Sequence, residues 1–270
     1  MIGVLMASGL THRGLGITAG LDPGLARELA AHCEKLGYHS LWSNDEPAAG
    51  GLDTVAQFAA VTERVELGVG VLPLHRYQPA RIAAEVDRLG LDPARLWLGI
   101  GSGALSRQVD PLRRAVAELR ALLPETTRIM VAAMRPGLCR LGGAIADGVL
   151  LNWMLPDHAA RAREWVREGA AQRGRTAPMV ASYVRVAVGP GAGLRLHGAE
   201  GFYRTINEGH RKHFAAIDVA VGAVGIAASE RSEVVHAFGA YHAALDLPIV
   251  RVLADADATS LRAVTDAAAP

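Results

Sequence analysis

The stretch RLWLGIGSGA, residues 95–104, leads an apolar run into glycines at 99, 101 and 103. Main chain this bare lets a flat or phosphorylated ligand come close to the backbone. A dinucleotide turn needs the spacing G-x-G-x-x-G and an acidic residue at the end of the following strand to hold a ribose. Here the spacing is G-x-G-x-G, and the next apolar run ends VAAMRP, with no acid. The dinucleotide reading fails on both counts. Two readings stay open: a strand end that offers backbone to a planar guest, or a plain tight turn.

Other positions can carry chemistry. LGVGVLPLHRYQP places Gly68 and Gly70 inside an apolar strand, where glycine marks a bulge or a close backbone approach. His75 and Arg76 follow at the same strand end, in reach of a substrate or a cofactor tail. AAMRPG sets Arg135 directly before Pro136 at the start of a helix, and helix N-termini attract phosphate through free N–H groups and the dipole. Asp45 and Glu46 end another strand. Glu46 is the candidate catalytic acid, if the chemistry needs one, and Asp45 is expected to bond backbone or cofactor. No metal is expected, because strand ends supply carboxylates only at Asp45, Glu46, Asp255 and Asp257, and neither of those two strand ends offers a histidine. His210 and His213 share an expected helix and read as lid or surface residues. The two lysines, Lys35 and Lys212, fall in polar helical segments, which argues against Schiff-base chemistry.

Such residues need a frame. Apolar, β-branched runs at 2–7, 39–43, 65–72, 95–100, 128–133, 148–152, 179–188 and 248–254 read as strands. They are continuous runs, as in strands buried on both faces, so a parallel sheet is expected. Amphipathic segments between them read as helices. The first is capped by Asp22, opened by Pro23 and stopped at Gly37. Eight such units in 270 residues predict an α/β fold with one (β/α)8 barrel domain over 1–270. Residues 189–247 exceed the usual spacing. They open GPGAG, predict helices over 199–216 and 230–244, and suggest a lid or a wall of the active site.

Composition removes several classes. The formal net charge is +1, from 28 basic and 27 acidic residues, with no basic footprint for nucleic acid. No apolar run approaches the roughly 18 residues of a membrane span. The apolar start MIGVLMASGL has no basic leader, and Cys33 and Cys139 both fall in expected helices, so reduced thiols in a cytoplasmic protein are expected.

The segments GYHSLWSNDEP, ERVELGVGVLPLHRYQPA, LWLGIGSG, RLGGAIADGVLLNW and YVRVAV together resemble the bacterial luciferase-like flavin superfamily. They look most like its deazaflavin-dependent branch, which includes methylenetetrahydromethanopterin reductase. The resemblance runs from about residue 20 to 188, with a weaker echo in AVGIAAS at 223–229. It implies a (β/α)8 barrel and a non-proline cis peptide at Gly70–Val71 backing a tricyclic ring. It further implies Gly101, Ser102 and Gly103 along that ring, Ala133, Met134 and Arg135 by the cofactor's side chain and phosphate, and Asn152 and Trp153 completing that side.

Where relatives often carry Asp-His, this chain has Asp45-Glu46, and Ala104 stands where some carry a glutamate. The function implied is a coenzyme F420-dependent oxidoreductase passing hydride between deazaflavin C5 and a small organic substrate. One alternative is an FMN-dependent monooxygenase or reductase; another is a catalytically reduced barrel that only binds the cofactor. Arg76, Arg107 and Arg135 are the candidates for meeting a deazaflavin's acidic tail. The family also implies a homodimer. The Ala-rich TVAQFAAVT at 54–62 suits close helix packing, against a second copy or simply onto the barrel.

Overall fold

Asp22 accepts a hydrogen bond from the Leu25 amide at 3.0 Å, and the helix it caps, α1 (Pro23–Leu36), ends at Gly37 with φ 87°. Left-handed φ is open to glycine at little cost, so the expected stop is the observed one. The computed structural model describes residues 12–105 and 109–270. The strand expected at 2–7 and Arg107 lie outside the described residues.

The strands are β1 (Gly14–Ile17), β2 (Ser40–Ser43), β3 (Glu66–Pro73), β4 (Leu96–Gly101), β5 (Arg128–Ala132), β6 (Gly148–Asn152), β7 (Met179–Val188), β8 (Ile226–Ala228) and β9 (Leu247–Val252). All pairings are parallel. The ring runs β1 to β7 in order, then β9, and closes through β6–β7 and β9–β1. This is the expected (β/α)8 barrel, with β8 added beside the upper part of β7. Its first described strand is β1, a four-residue GLGI whose glycines hid it from an apolar-run reading.

The intervening helices are α2 (Gly51–Ala59), α3 (Pro79–Arg88), α4 (Val109–Leu122), α5 (Pro136–Ile145) and α6 (Pro156–Ala171). Helices α1, α3, α5 and α6 all begin with proline, which presets φ and lacks the N–H that a first turn leaves unpaired. The α2 segment, the Ala-rich stretch above, buries Val55 and Phe58 in the core.

Large side chains fill the lumen: Trp42, Trp97, Met130, Leu150, Tyr183, Leu247 and Ile249. Gly68 makes room for one of them, since a Cβ there would lie 2.2 Å from the Trp42 ring. Its bareness serves packing, not a ligand. On β7 the inward positions are Ala181 and Tyr183, and period two makes Arg185 the next. On β9 the same logic runs Leu247, Ile249, Arg251. The pairing register sets Arg185 directly beside Arg251.

The excursion after β7 departs from expectation. In place of one helix over 199–216 there are two, α7 (Ala192–Ile206) and α8 (Glu208–Ile217). Asn207 separates them: its backbone is extended, and its side chain accepts from the His210 amide at 3.0 Å, capping α8. Helices α9 (Arg231–Ala244) and α10 (Ala258–Ala267) follow β8 and β9. Glu200 on α7, wholly buried, ties the excursion together, pairing with Arg204 and accepting from the Gly222 and Val224 amides at 3.0 and 2.9 Å. No helix among the described residues is long and apolar enough to cross a membrane.

Candidate functional site

At the C-terminal rim of the barrel, above β3 to β6, lies a cleft of about 730 Å³. Its apolar floor is Val71, Ala132 and Leu150, with Gly101, Ser102 and Gly103 along one edge. At Gly70 the peptide bond to Val71 is cis, and the β3–β4 register shifts between Gly70 and Leu72. The Gly70 carbonyl accepts from the Tyr183 hydroxyl at 3.1 Å, and a Cβ on Gly70 would meet that hydroxyl at 2.7 Å. Gly70 itself lies beneath the cleft, and the next residue, Val71, lines it.

The strand-four glycines divide by role. A Cβ at Gly101 would press on Val71 at 3.0 Å, in the cleft floor. Gly103, at φ 57°, is bare for another reason: His75 Nδ1 occupies the place of its Cβ and accepts from the Ala104 amide at 3.2 Å. His75 therefore braces the turn.

The far wall is the start of α5. Ala133, Met134 and Arg135 lead into it, and Pro136, Gly137 and Leu138 of its first turn also line the cleft. No side chain caps this helix. Its first-turn N–H groups and the Arg135 guanidinium together suit an anion.

Asn152 and His210 complete the lining, with Asn207 and Gly209 of the excursion. The sequence reading left His210 as a lid or surface residue; the break at Asn207 brings it to the cleft. Burial, with His213 and Arg185 nearby, pushes the His210 imidazole down to about 4, so it is neutral near pH 7. His213 is structural: buried, it donates from Nε2 to the Trp153 carbonyl at 2.8 Å.

Besides Gly70, the expected site residues Asp45, Glu46 and Trp153 do not line this cleft, nor does Arg76. Asp45 is committed to the protein, accepting from the Gly51 amide at 3.1 Å and the Tyr77 hydroxyl at 2.9 Å, and pairing with Arg76 at 2.9 Å. Arg76 also donates to the Glu46 carbonyl, so it is not free to hold a cofactor tail. Glu46 accepts from the Asn44 side chain. Trp153 turns its ring to Tyr203 and Phe214, with the Arg185 guanidinium 3.9 Å from the ring centroid.

That guanidinium belongs to a second, smaller cleft of about 350 Å³, whose lining includes Trp153, Arg185, Arg195, Tyr203 and Arg251. The sequence reading missed Arg185 and Arg251. The signal was present: each is a lone arginine in an apolar strand, YVRVAV and IVRVLA, two positions after an inward residue. Asn152 joins the two clefts, lining the larger and accepting from Arg185. Among the described residues no group of three or more His, Cys, Asp or Glu stands ready for a metal.

Comparison with known proteins adds to this geometry. Residues 5–129 match the family described as luciferase-like monooxygenase. A solved F420-dependent secondary alcohol dehydrogenase, in complex with an F420–acetone adduct, superposes with TM-score 0.74 at 16% identity, covering 95% of this chain and 98% of that one. The coenzyme F420-dependent tetrahydromethanopterin reductase from Methanopyrus kandleri gives 0.66 at 18% identity, over 89% and 92%. The oxygenating constituent of 3,6-diketocamphane monooxygenase from Pseudomonas putida, in complex with FMN, gives 0.66 at 15%, over 96% and 98%. No protein of curated function matches the chain in sequence.

Proposed function

We propose that this chain, whose residues 5–129 match the luciferase-like monooxygenase family and whose fold is shared with an F420-dependent enzyme over nearly its whole length, is an oxidoreductase moving hydride between an F420-type deazaflavin and a small organic substrate. The observation that carries this reading is the larger cleft. It joins an apolar floor fit for a planar ring to an uncapped helix N-terminus with an arginine fit for a phosphate.

When bound, a deazaflavin supplies hydride at its C5 carbon. The protein's part is then to hold and orient. Val71, backed by Gly70, and Gly101 meet the ring; Ser102 and Gly103 border it; Ala133 and Met134 flank the side chain. Arg135, with the Gly137 and Leu138 amides, neutralises the phosphate. Asn152 and the neutral His210 face the substrate side, where His210 accepts a hydrogen bond and does not carry charge. Glu46 acts at one remove, orienting Asn44, whose Oδ1 takes Arg251 at 3.0 Å. We place Glu46 as a positioning residue, and its change to Gln lowers turnover by less than tenfold. Trp153 and Asp45 shape the rim without touching the ring.

FMN is the second reading, favoured by the FMN-bound neighbour on the same fold. The experiment is a turnover screen of the full chain with reduced deazaflavin against enones, imines and ketones, followed by reappearance of the oxidised cofactor's absorbance. Turnover with at least one class supports the proposal. Binding of cofactor without turnover of any class leaves a barrel that binds but does not catalyse.

A further inference from the structure

Two lumen-facing arginines crown strands β7 and β9, side by side in register, and neither has an acidic partner. Arg185 is 4% exposed, and its partners among the described residues are neutral: the Asn152 side chain, the Tyr203 hydroxyl and the Trp153 ring face. Arg251 donates to the Thr18 hydroxyl at 2.8 Å and the Asn44 side chain at 3.0 Å, again neutral groups. Residues 1–11 and 106–108, outside the described structure, contain no Asp or Glu. The one acid in the described lining, Asp255, is exposed and pairs with neither arginine.

The surroundings are short of acceptors as well. Trp153, 1% exposed, encloses an indole N–H with no acceptor, and the Arg195 Nε–H in the same lining is likewise unpaired. Burial and the charge of Arg251 pull the Arg185 guanidinium down to about 9, partly offset by Tyr203 and Tyr183. Buried charge of one sign is costly unless something of the opposite sign meets it. A guanidinium presents a planar fork of donors that matches an oxyanion.

We propose that Arg185 and Arg251 form an oxyanion subsite that anchors a carboxylate or phosphate group of the substrate in the smaller cleft. From there the substrate reaches the larger cleft across Asn152, which lines that cleft and bonds Arg185, and past Tyr203, whose ring centroid is 5.4 Å from that of His210. Calling the anion a substrate rests on the cofactor reading above; the subsite itself does not.

The test uses the full chain without added cofactor. Acetate, benzoate and inorganic phosphate are titrated at fixed ionic strength, with melting temperature and calorimetric heat as readouts. A saturable rise with the carboxylates or with phosphate is expected, and the series that gives it identifies the headgroup. Arg251→Gln keeps a side chain for Thr18 and Asn44 and weakens that binding at least tenfold. Arg185→Met keeps the volume and removes the charge. It melts no lower than the parent without anion and loses the anion-dependent rise. No saturable rise in the parent, or a rise that survives in both variants, overturns the subsite. Deazaflavin affinity is unchanged in Arg251→Gln; a parallel loss there would assign the anion to the cofactor and overturn the substrate role. A chain that binds oxyanion but neither deazaflavin nor FMN keeps the subsite and defeats the cofactor reading.

Discussion

At the residue scale, the two arginine sets divide the labour. Arg135 opens toward the larger cleft at a helix start that no side chain caps, whereas Arg185 is enclosed behind Asn152. Charge-assisted bonds to a phosphate are about twice as strong as neutral ones. Arg135→Gln is therefore expected to weaken cofactor binding about tenfold, with a difference from the parent that shrinks as salt rises. Calorimetry at two ionic strengths reads both effects. Several residues of the larger cleft were legible because glycines in apolar strands and an arginine before a helix-opening proline are local signals. His210 was not, because its place depends on the joint at Asn207. Asp45 took the backbone half of its expectation, accepting from the Gly51 amide, and only the fold reveals that Arg76 pairs with it.

At the element scale, the position of Arg135 depends on how α5 seats. Its Gly143 and the Gly169 of α6 let the two backbones nearly touch. A Cβ on Gly169 would lie 2.0 Å from the Arg140 carbonyl oxygen, and one on Gly143 would lie 2.1 Å from that of Val166. Backbone cannot move aside as a side-chain tip can. Gly169→Ala should destabilise by about 1–3 kcal/mol or more through overpacking. Urea denaturation measures it, and an unchanged midpoint would remove this account of the α5–α6 seam. Helix α1 has the expected start and stop, and α5 opens at the expected Pro136, because a cap, prolines and a glycine mark them. The excursion departs from expectation, because the break falls at an extended Asn207 with no Pro to mark it, and the nearby Gly209 lies inside α8. Strand β1 was missed for the opposite reason: two of its four residues are glycine, bare where a Cβ would strike Ser40 and Tyr183.

At the scale of the whole molecule, the barrel's two ends behave differently. The N-terminal end carries Glu66, where burial is outweighed by hydrogen bonds from His39 and Trp97 and by Arg128, holding the carboxyl at about 2 against an ordinary 4.5. A depressed carboxyl contributes stability above about pH 4.5 that is lost as pH falls toward 2. His242, pushed down to about 4 by burial and by Arg13, and His210 act earlier, because the unfolded chain takes up their protons first. Stability should thus fall in two stages, from about pH 6.5 toward 4 and then below 4.5. Denaturation across this range is the check: Glu34, Glu208 and Asp257 are also held low, so Glu66→Gln shrinks the lower stage and leaves the upper one, and a lower stage of full size in that variant would contradict the assignment. The C-terminal rim holds the larger cleft, where the proposed planar ring lies on Val71, Gly101 and Ala132. The most direct measurement is a fluorescence titration of deazaflavin, and separately of FMN, into the parent and into Ala132→Phe, whose ring fills that floor, with circular dichroism confirming that the variant is folded. The account predicts saturable binding to the parent and at least tenfold weaker binding to the folded variant. Equal binding to both, or no binding of either cofactor to the parent, would contradict it.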